Sequence, residues 1–143
     1  MMQITLGGGG CAICAVLQML FVARGLRWLD AAPLKRRSRF TTSAILAGLL
    51  AHIIQIAIWT AIFLPYGGFE TLEETLYFSI ATYSTLGYGD ALIVPELRVL
   101  GSMAAVAGLI SFGISTAFLY AVLSELVRPA PHYAQAAHCH GRT

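Results

Sequence analysis

The sequence predicts an all-α membrane protein with three transmembrane helices and a short re-entrant helix and loop. Three observations carry this. Of 143 residues, 57% are hydrophobic and only 11% charged, and the mean hydropathy of +0.73 is far above that of a soluble domain. Three long apolar runs, 4–23, 43–64 and 97–124, are each sufficient to cross a bilayer. Between the second and third lies a helical segment too short to cross, which runs into a glycine-containing hexapeptide.

The first run is apolar apart from Thr5 and Gln18, and its 20 residues extend ~30 Å as a helix. A cleavable signal peptide would carry Lys or Arg before the apolar stretch; here the positive charges follow it, which favours a retained helix with its N-terminus outside. The Gly7 to Gly10 run marks either a frayed or a tightly packed helix start. Cys11 and Cys14 have a redox-like spacing but sit in an apolar segment, where small core residues are the better expectation; with Cys139 they are too few for a disulfide framework. Between Arg24 and Arg39 lie six basic residues against one acid, Asp30, so the loop is expected to be cytoplasmic and residues 1–42 to comprise the N-terminal helix and this loop.

The second run, 43–64, is 22 residues without Asp, Glu, Lys or Arg and ends at Pro65 before the turn-like Tyr66-Gly67-Gly68. His52 and Gln55 lie within it and need partners there; a helix-to-helix hydrogen bond is the favoured role of His52, ahead of pH sensing. Trp59 and Tyr66 are expected in the outer interfacial belt. Thr71, with Glu73 and Glu74 behind it, opens the short helix, 71–83, with acids where the helix dipole favours them. The third run, 97–124, is 28 residues with one charge, Arg98; at ~42 Å it should tilt or project beyond the bilayer. Pro129 and Pro131 follow it, and 127–143 reads as a short cytoplasmic tail whose His138-Cys139-His140 run is too compact to wrap a metal ion.

The hexapeptide Thr85-Leu86-Gly87-Tyr88-Gly89-Asp90 carries the functional signal. In a strand successive carbonyls alternate sides, so a row of oxygens facing one axis needs alternate residues in backbone conformations that a Cβ resists. Gly87 and Gly89 stand where that alternation needs them, leaving Leu86 and Tyr88 to turn outward into supporting protein. Such a ring of carbonyls replaces the hydration shell of a potassium ion. From Pro65 to Glu96 there are five acids and no Lys or Arg, an arrangement that would either concentrate cations outside or simply be solvated charges flanking a helix.

The hexapeptide, together with Val106 to Ala117 (VAGLISFGISTA), resembles the pore-loop potassium channel family, over about Leu72 to Glu125. The resemblance implies a pore domain over 43–126: outer helix 43–64, pore helix 71–83, filter 85–90 and inner helix 97–124, the pore being formed by a tetramer. It implies K+ coordination at Thr85, Leu86, Gly87 and Tyr88, an outer turn at Gly89, support from Asp90, a gating hinge at Gly108, and a cavity lined by Leu109, Phe112 and Thr116. Read from the residues alone, Gly108 is equally a packing glycine in a stripe of small residues, and the other three could be inter-helix core. Two positions depart from the pattern. Leu86 replaces the usual Val, and Ala81 stands where some members carry a Glu that pairs with the filter Asp. Asp90 is therefore expected to be held by an aromatic donor such as Tyr77, or by water.

The expected protein is thus a passive, potassium-selective homotetrameric channel of the plasma (inner) membrane, with its N-terminus outside and C-terminus cytoplasmic. No cofactor is expected beyond K+ as permeant ion, and no partner beyond the lipid bilayer: neither nucleic acid nor a small-molecule substrate. No catalytic constellation is evident, and no span has the arginine periodicity of a voltage sensor. The alternatives are a weakly selective cation channel and a non-conducting regulatory membrane subunit.

Overall fold

A computed structural model describes residues 1–31 and 37–127. Lys35, Arg36 and the tail from residue 128, with its His138-Cys139-His140 run, lie outside the described residues. Four α-helices follow in order: α1 (Met2–Ala31), α2 (Arg37–Phe63), α3 (Leu72–Tyr83) and α4 (Arg98–Val127), the last entered through a 3-10 turn at Pro95–Leu97. Stretches within α1, α2 and the turn-plus-α4 unit, at Met2–Trp28, Thr41–Phe63 and Pro95–Ser124, are long and apolar enough to cross a membrane. This is an all-α membrane protein. The long helices overrun the apolar segments at the basic end because Arg24, Arg27, Arg37 and Arg39 are compatible with helix outside the hydrocarbon.

α3 has 12 residues, ~18 Å, and cannot cross. Thr71 caps it in an extended conformation (φ −131°, ψ 156°), its hydroxyl accepting the Glu74 N–H at 3.1 Å. Glu73 and Glu74 complement the dipole in the first turn. The loop before α3 turns on Gly68 (φ +78°), and the Val94 N–H donates to the Gly67 carbonyl at 3.3 Å, tying that loop to the segment that leads into α4.

Polarity is distributed inside-out. Leu46, Leu49, Leu50 and Ile53 of α2 and Val16 and Met19 of α1 are exposed, whereas Gln18, Gln55, Thr75 and Ser79 are fully buried. Lipid solvates the former at no cost but offers the latter no hydrogen bond, so the polar groups turn inward to find one another. Two apolar clusters flank them. The larger joins all four helices through Cys14, Trp59, Phe63, Phe78, Tyr83 and Leu100; the smaller comprises Ala44, Phe118 and Val122, with Phe21 against it.

Trp59 is a correction to the sequence-based expectation. It is fully buried and stacked on Phe63, with ring centroids 5.7 Å apart, rather than facing an interfacial belt. The reason is Gly10: without a side chain there, α1 approaches closely enough to lay its backbone over the indole. A Cβ on Gly10 would lie 2.9 Å from the Trp59 ring and 3.1 Å from Ile62. Gly7 is likewise pressed against Met103 and Leu100, so the glycine run is helical rather than frayed, packed closely at Gly7 and Gly10 and open at Gly8 and Gly9. Tyr66, in contrast, is on the surface.

Gly10→Leu should therefore destabilise the protein by about 1–3 kcal/mol through overpacking. Gly8→Leu, at a position with open space around it, should leave stability nearly unchanged. Thermal melting of the detergent-solubilised protein checks the contrast.

Candidate functional site: the loop after α3

The chain leaves α3 by folding back on that helix's last carbonyls. The Ser84 N–H donates to Ile80 O (2.9 Å), the Thr85 N–H to Thr82 O (3.0 Å) and the Gly87 N–H to Ala81 O (3.1 Å). At Ala81, where a carboxylate pair is impossible, it is thus the backbone carbonyl that holds the loop. Beyond it, φ is positive at every second residue: 60° at Thr85, 56° at Gly87 and 80° at Gly89. Alternation of left- and right-handed backbone is the conformation that turns successive carbonyls to one side. Glycine accepts it readily, whereas at Thr85 a β-branched residue occupies a region costing about 1–3 kcal/mol, a strain that the preceding helix must hold in place. The two glycines were legible from sequence; the threonine was not, because nothing local favours it there.

Asp90 is held from behind. Tyr77, in the middle of α3, donates its hydroxyl to Asp90 Oδ2 at 2.6 Å, and Asp90 Oδ1 accepts the Ala91 N–H at 3.1 Å. The Tyr77 hydrogen bond is the main cause that holds the Asp90 carboxyl below its ordinary value of 3.8; it outweighs the opposing effect of burial, and the backbone N–H groups of Asp90 and Ala91 add to it. Leu86 and Tyr88 are 57% and 68% exposed, so the chain's own residues do not supply the support expected behind them.

On α4, Leu109, Phe112 and Thr116 share one exposed face. Phe112 also stacks on His52, with centroids 4.3 Å apart. Gly108 lies on another face, against the end of α3: a Cβ there would run into the Tyr83 carbonyl oxygen and lie 3.2 Å from the Tyr83 ring. α4 continues through Gly108 as an unbroken helix. Close approach of α4 to the end of α3 is therefore the role of this glycine in the observed conformation.

Under the loop lies a cluster that sequence reasoning saw only in pieces. Tyr83, the last residue of α3, donates to Gln55 Oε1 (3.0 Å) and is 3.0 Å from His52 Nδ1; His52 Nε2 is 2.9 Å from Ser115 Oγ. Gln55 Nε2 donates to Gln18 Oε1 (2.9 Å), Gln18 Nε2 to Ser115 Oγ (2.8 Å), and Ser111 Oγ to Gln55 Oε1 (2.9 Å). The expected helix-to-helix hydrogen bond of His52 is among these. The available signal was that Gln18, His52 and Gln55 interrupt apolar spans; which partners they meet depends on how the helices pack.

Three membrane-crossing helices, with a short capped helix and a loop of alternating backbone handedness between the second and third, define a pore-loop membrane protein. A family model described as "Ion channel" matches residues 48–125, from within α2 to the last turn of α4. The chain belongs to this family of ion channels, whose pore domain is of the two-span potassium-channel type. No curated protein and no solved structure matches the chain.

Asp90, whose carboxyl is depressed in the folded protein, stabilises the loop above its ordinary value, and this contribution is lost as pH falls through the folded value. Tyr77→Phe should raise that folded value toward 3.8, so that most of this pH-dependent contribution disappears. A carbon-13 NMR titration of the aspartate carboxyls checks this; an unmoved Asp90 titration would show that the phenol does not hold it.

Proposed function

We propose that the protein is a passive potassium-selective channel, assembled as a homotetramer. The observation that carries this is the backbone alternation at Thr85, Gly87 and Gly89 within the T-L-G-Y-G-D string. Four copies around an axis would stack the carbonyls of Thr85, Leu86, Gly87 and Tyr88 into rings that take K+ as permeant ion. One copy supplies one strand of such a ring, and cyclic closure completes it. Assembly also accounts for Leu86 and Tyr88, whose exposed side chains would be packed by neighbouring copies. Asp90, braced by Tyr77, holds the outer end of the filter.

Below the filter, Leu109, Phe112 and Thr116 would line the cavity, and the C-terminal end of α3 would present its partial negative charge to a waiting cation. Gly108 would serve as hinge if α4 moves off Tyr83 and bends. The basic segment between Arg24 and Arg39 supports a cytoplasmic position for that end of the bundle, with the N-terminus and filter outside and the C-terminus inside, in the plasma (inner) membrane. The five acids between Pro65 and Glu96 then face the outer solution, where they raise the local cation concentration. Conduction of this kind uses no catalytic group and no cofactor.

Potassium uptake into liposomes holding the purified protein, with sodium as competitor, tests the proposal. Uptake selective for potassium is expected. It should vanish in Gly87→Ala, because alanine at φ 56° costs about 1–2 kcal/mol although space for its methyl is open. Equal sodium and potassium flux would instead mark a relaxed cation pore, and no flux from well-folded tetramers would oppose a conducting role.

A further inference from the structure

We propose that Gln18 of α1 is a positioning residue for the filter: it closes a ring of hydrogen bonds that fixes Tyr83, at the end of the pore helix, and thereby makes the first helix part of the conducting unit. α1 lies wholly outside residues 48–125, the part of the chain that matches the ion-channel family. The role rests on the channel reading above.

Donor counting gives the ring its direction. Tyr83 has one hydroxyl proton and gives it to Gln55 Oε1, so its 3.0 Å contact with His52 requires the imidazole proton on Nδ1. His52 Nε2 is then an acceptor and takes the Ser115 hydroxyl at 2.9 Å. Ser115 in turn accepts from Gln18 Nε2 at 2.8 Å, and Gln18 Oε1 accepts from Gln55 Nε2 at 2.9 Å. The circuit Gln18, Ser115, His52, Tyr83, Gln55 and back to Gln18 has each side chain giving one hydrogen bond and accepting one in the same sense. Bonds ordered in this way polarise one another. Gln55 Oε1 uses its second lone pair for Ser111, which brings a second α4 residue into contact with the ring.

Every member comes from a helix that matters to conduction, except Gln18. α2 contributes His52 and Gln55, α3 contributes Tyr83, and α4 contributes Ser115, two turns beyond Gly108. Gln18 alone spans the remaining gap, because an amide carries both the acceptor that Gln55 needs and the donor that Ser115 needs. With an apolar side chain at 18, the Gln55 Nε2 donor loses its acceptor in a fully buried site, and an amide that turns to satisfy it takes its Oε1 away from Tyr83. Tyr83 precedes Thr85 by two residues, and its own carbonyl is the atom packed against Gly108, so its loosening reaches the filter base directly.

α1 is anchored independently of the ring, as a fixed brace must be. The Gln3 amide donates to the Glu96 carbonyl at one end, Cys11 Sγ is 3.6 Å from the Met103 carbonyl, and Gly25 at the other end is pressed against the Phe118 ring.

Single-channel recording in planar bilayers with potassium on one side and sodium on the other tests the role. The reversal potential measures selectivity whatever the number of folded channels. Gln18→Leu should lower the permeability ratio of potassium to sodium several-fold, Ser115→Ala should lower it too, and the double variant should do no worse than the worse single one. Gln18→Glu supplies the rescue: a protonated carboxyl has an acceptor and a donor in the amide's place. It should match the wild type at acid pH and lose selectivity, relative to wild type at the same pH, as the carboxyl ionises. If Gln18→Leu fails to assemble, the pH pair of Gln18→Glu decides. Wild-type selectivity in Gln18→Leu, or a Gln18→Glu channel that differs from wild type at every pH or at none, would overturn the role alone. A wild-type protein with no potassium current would overturn the channel reading and this role with it.

Discussion

In a hydrocarbon surrounding, a polar group that is not hydrogen-bonded within the protein is not hydrogen-bonded at all, and the fold follows from that constraint. Backbone groups are satisfied in helices, or at the re-entrant loop by folding back on the carbonyls of Ile80, Ala81 and Thr82. Side chains obey the same rule. Gln18, Gln55, Thr75 and Ser79 are fully buried while leucines and isoleucines face outward, the reverse of a soluble protein. A single cluster around Gln55 joins α1, α2, α3 and α4, so the relative heights and rotations of the four helices are set where the apolar clusters above and below it could slide.

Close packing supplies the second restraint. Apolar side chains gain nothing by leaving lipid for one another, so stability between helices depends on fitted contact. Glycines provide it at three levels: Gly10 beneath Trp59, Gly108 against the Tyr83 carbonyl and Gly25 against Phe118. Each lets one helix approach another more closely than a methyl group would permit. The contact at Gly108 also seats α3, whose end begins the loop of alternating backbone handedness.

The loop itself is built from conformations that would not persist alone. Positive φ at Thr85 and the turn at Asp90 are held by α3, through carbonyls at its end and the Tyr77 hydroxyl at its middle. α3 is in turn held by Tyr83 in the polar cluster and by Phe78 against Phe63. Strain in the loop is thus balanced by rigidity two layers away, and a residue as distant as Gln18 belongs to the same chain of support.

Sequence alone determined the three spans, the capped short helix and the loop chemistry, because each depends on neighbours along the chain. Hydropathy over twenty residues marks a span, Thr71 with Glu73 and Glu74 marks a helix start, and the two glycines of the hexapeptide mark positive φ. The Tyr77 to Asp90 bond was also legible, since a helix and the loop directly after it leave few donors to choose from. Tertiary structure decided the rest. Trp59 reads as an interfacial residue until Gly10 is placed beside it, and Gln18, Gln55 and Ser115 read as isolated polar interruptions until packing brings them within hydrogen-bond distance. The physical reason is that a partner 37 or 97 residues away is selected by the relative rotation of whole helices, which no local pattern encodes.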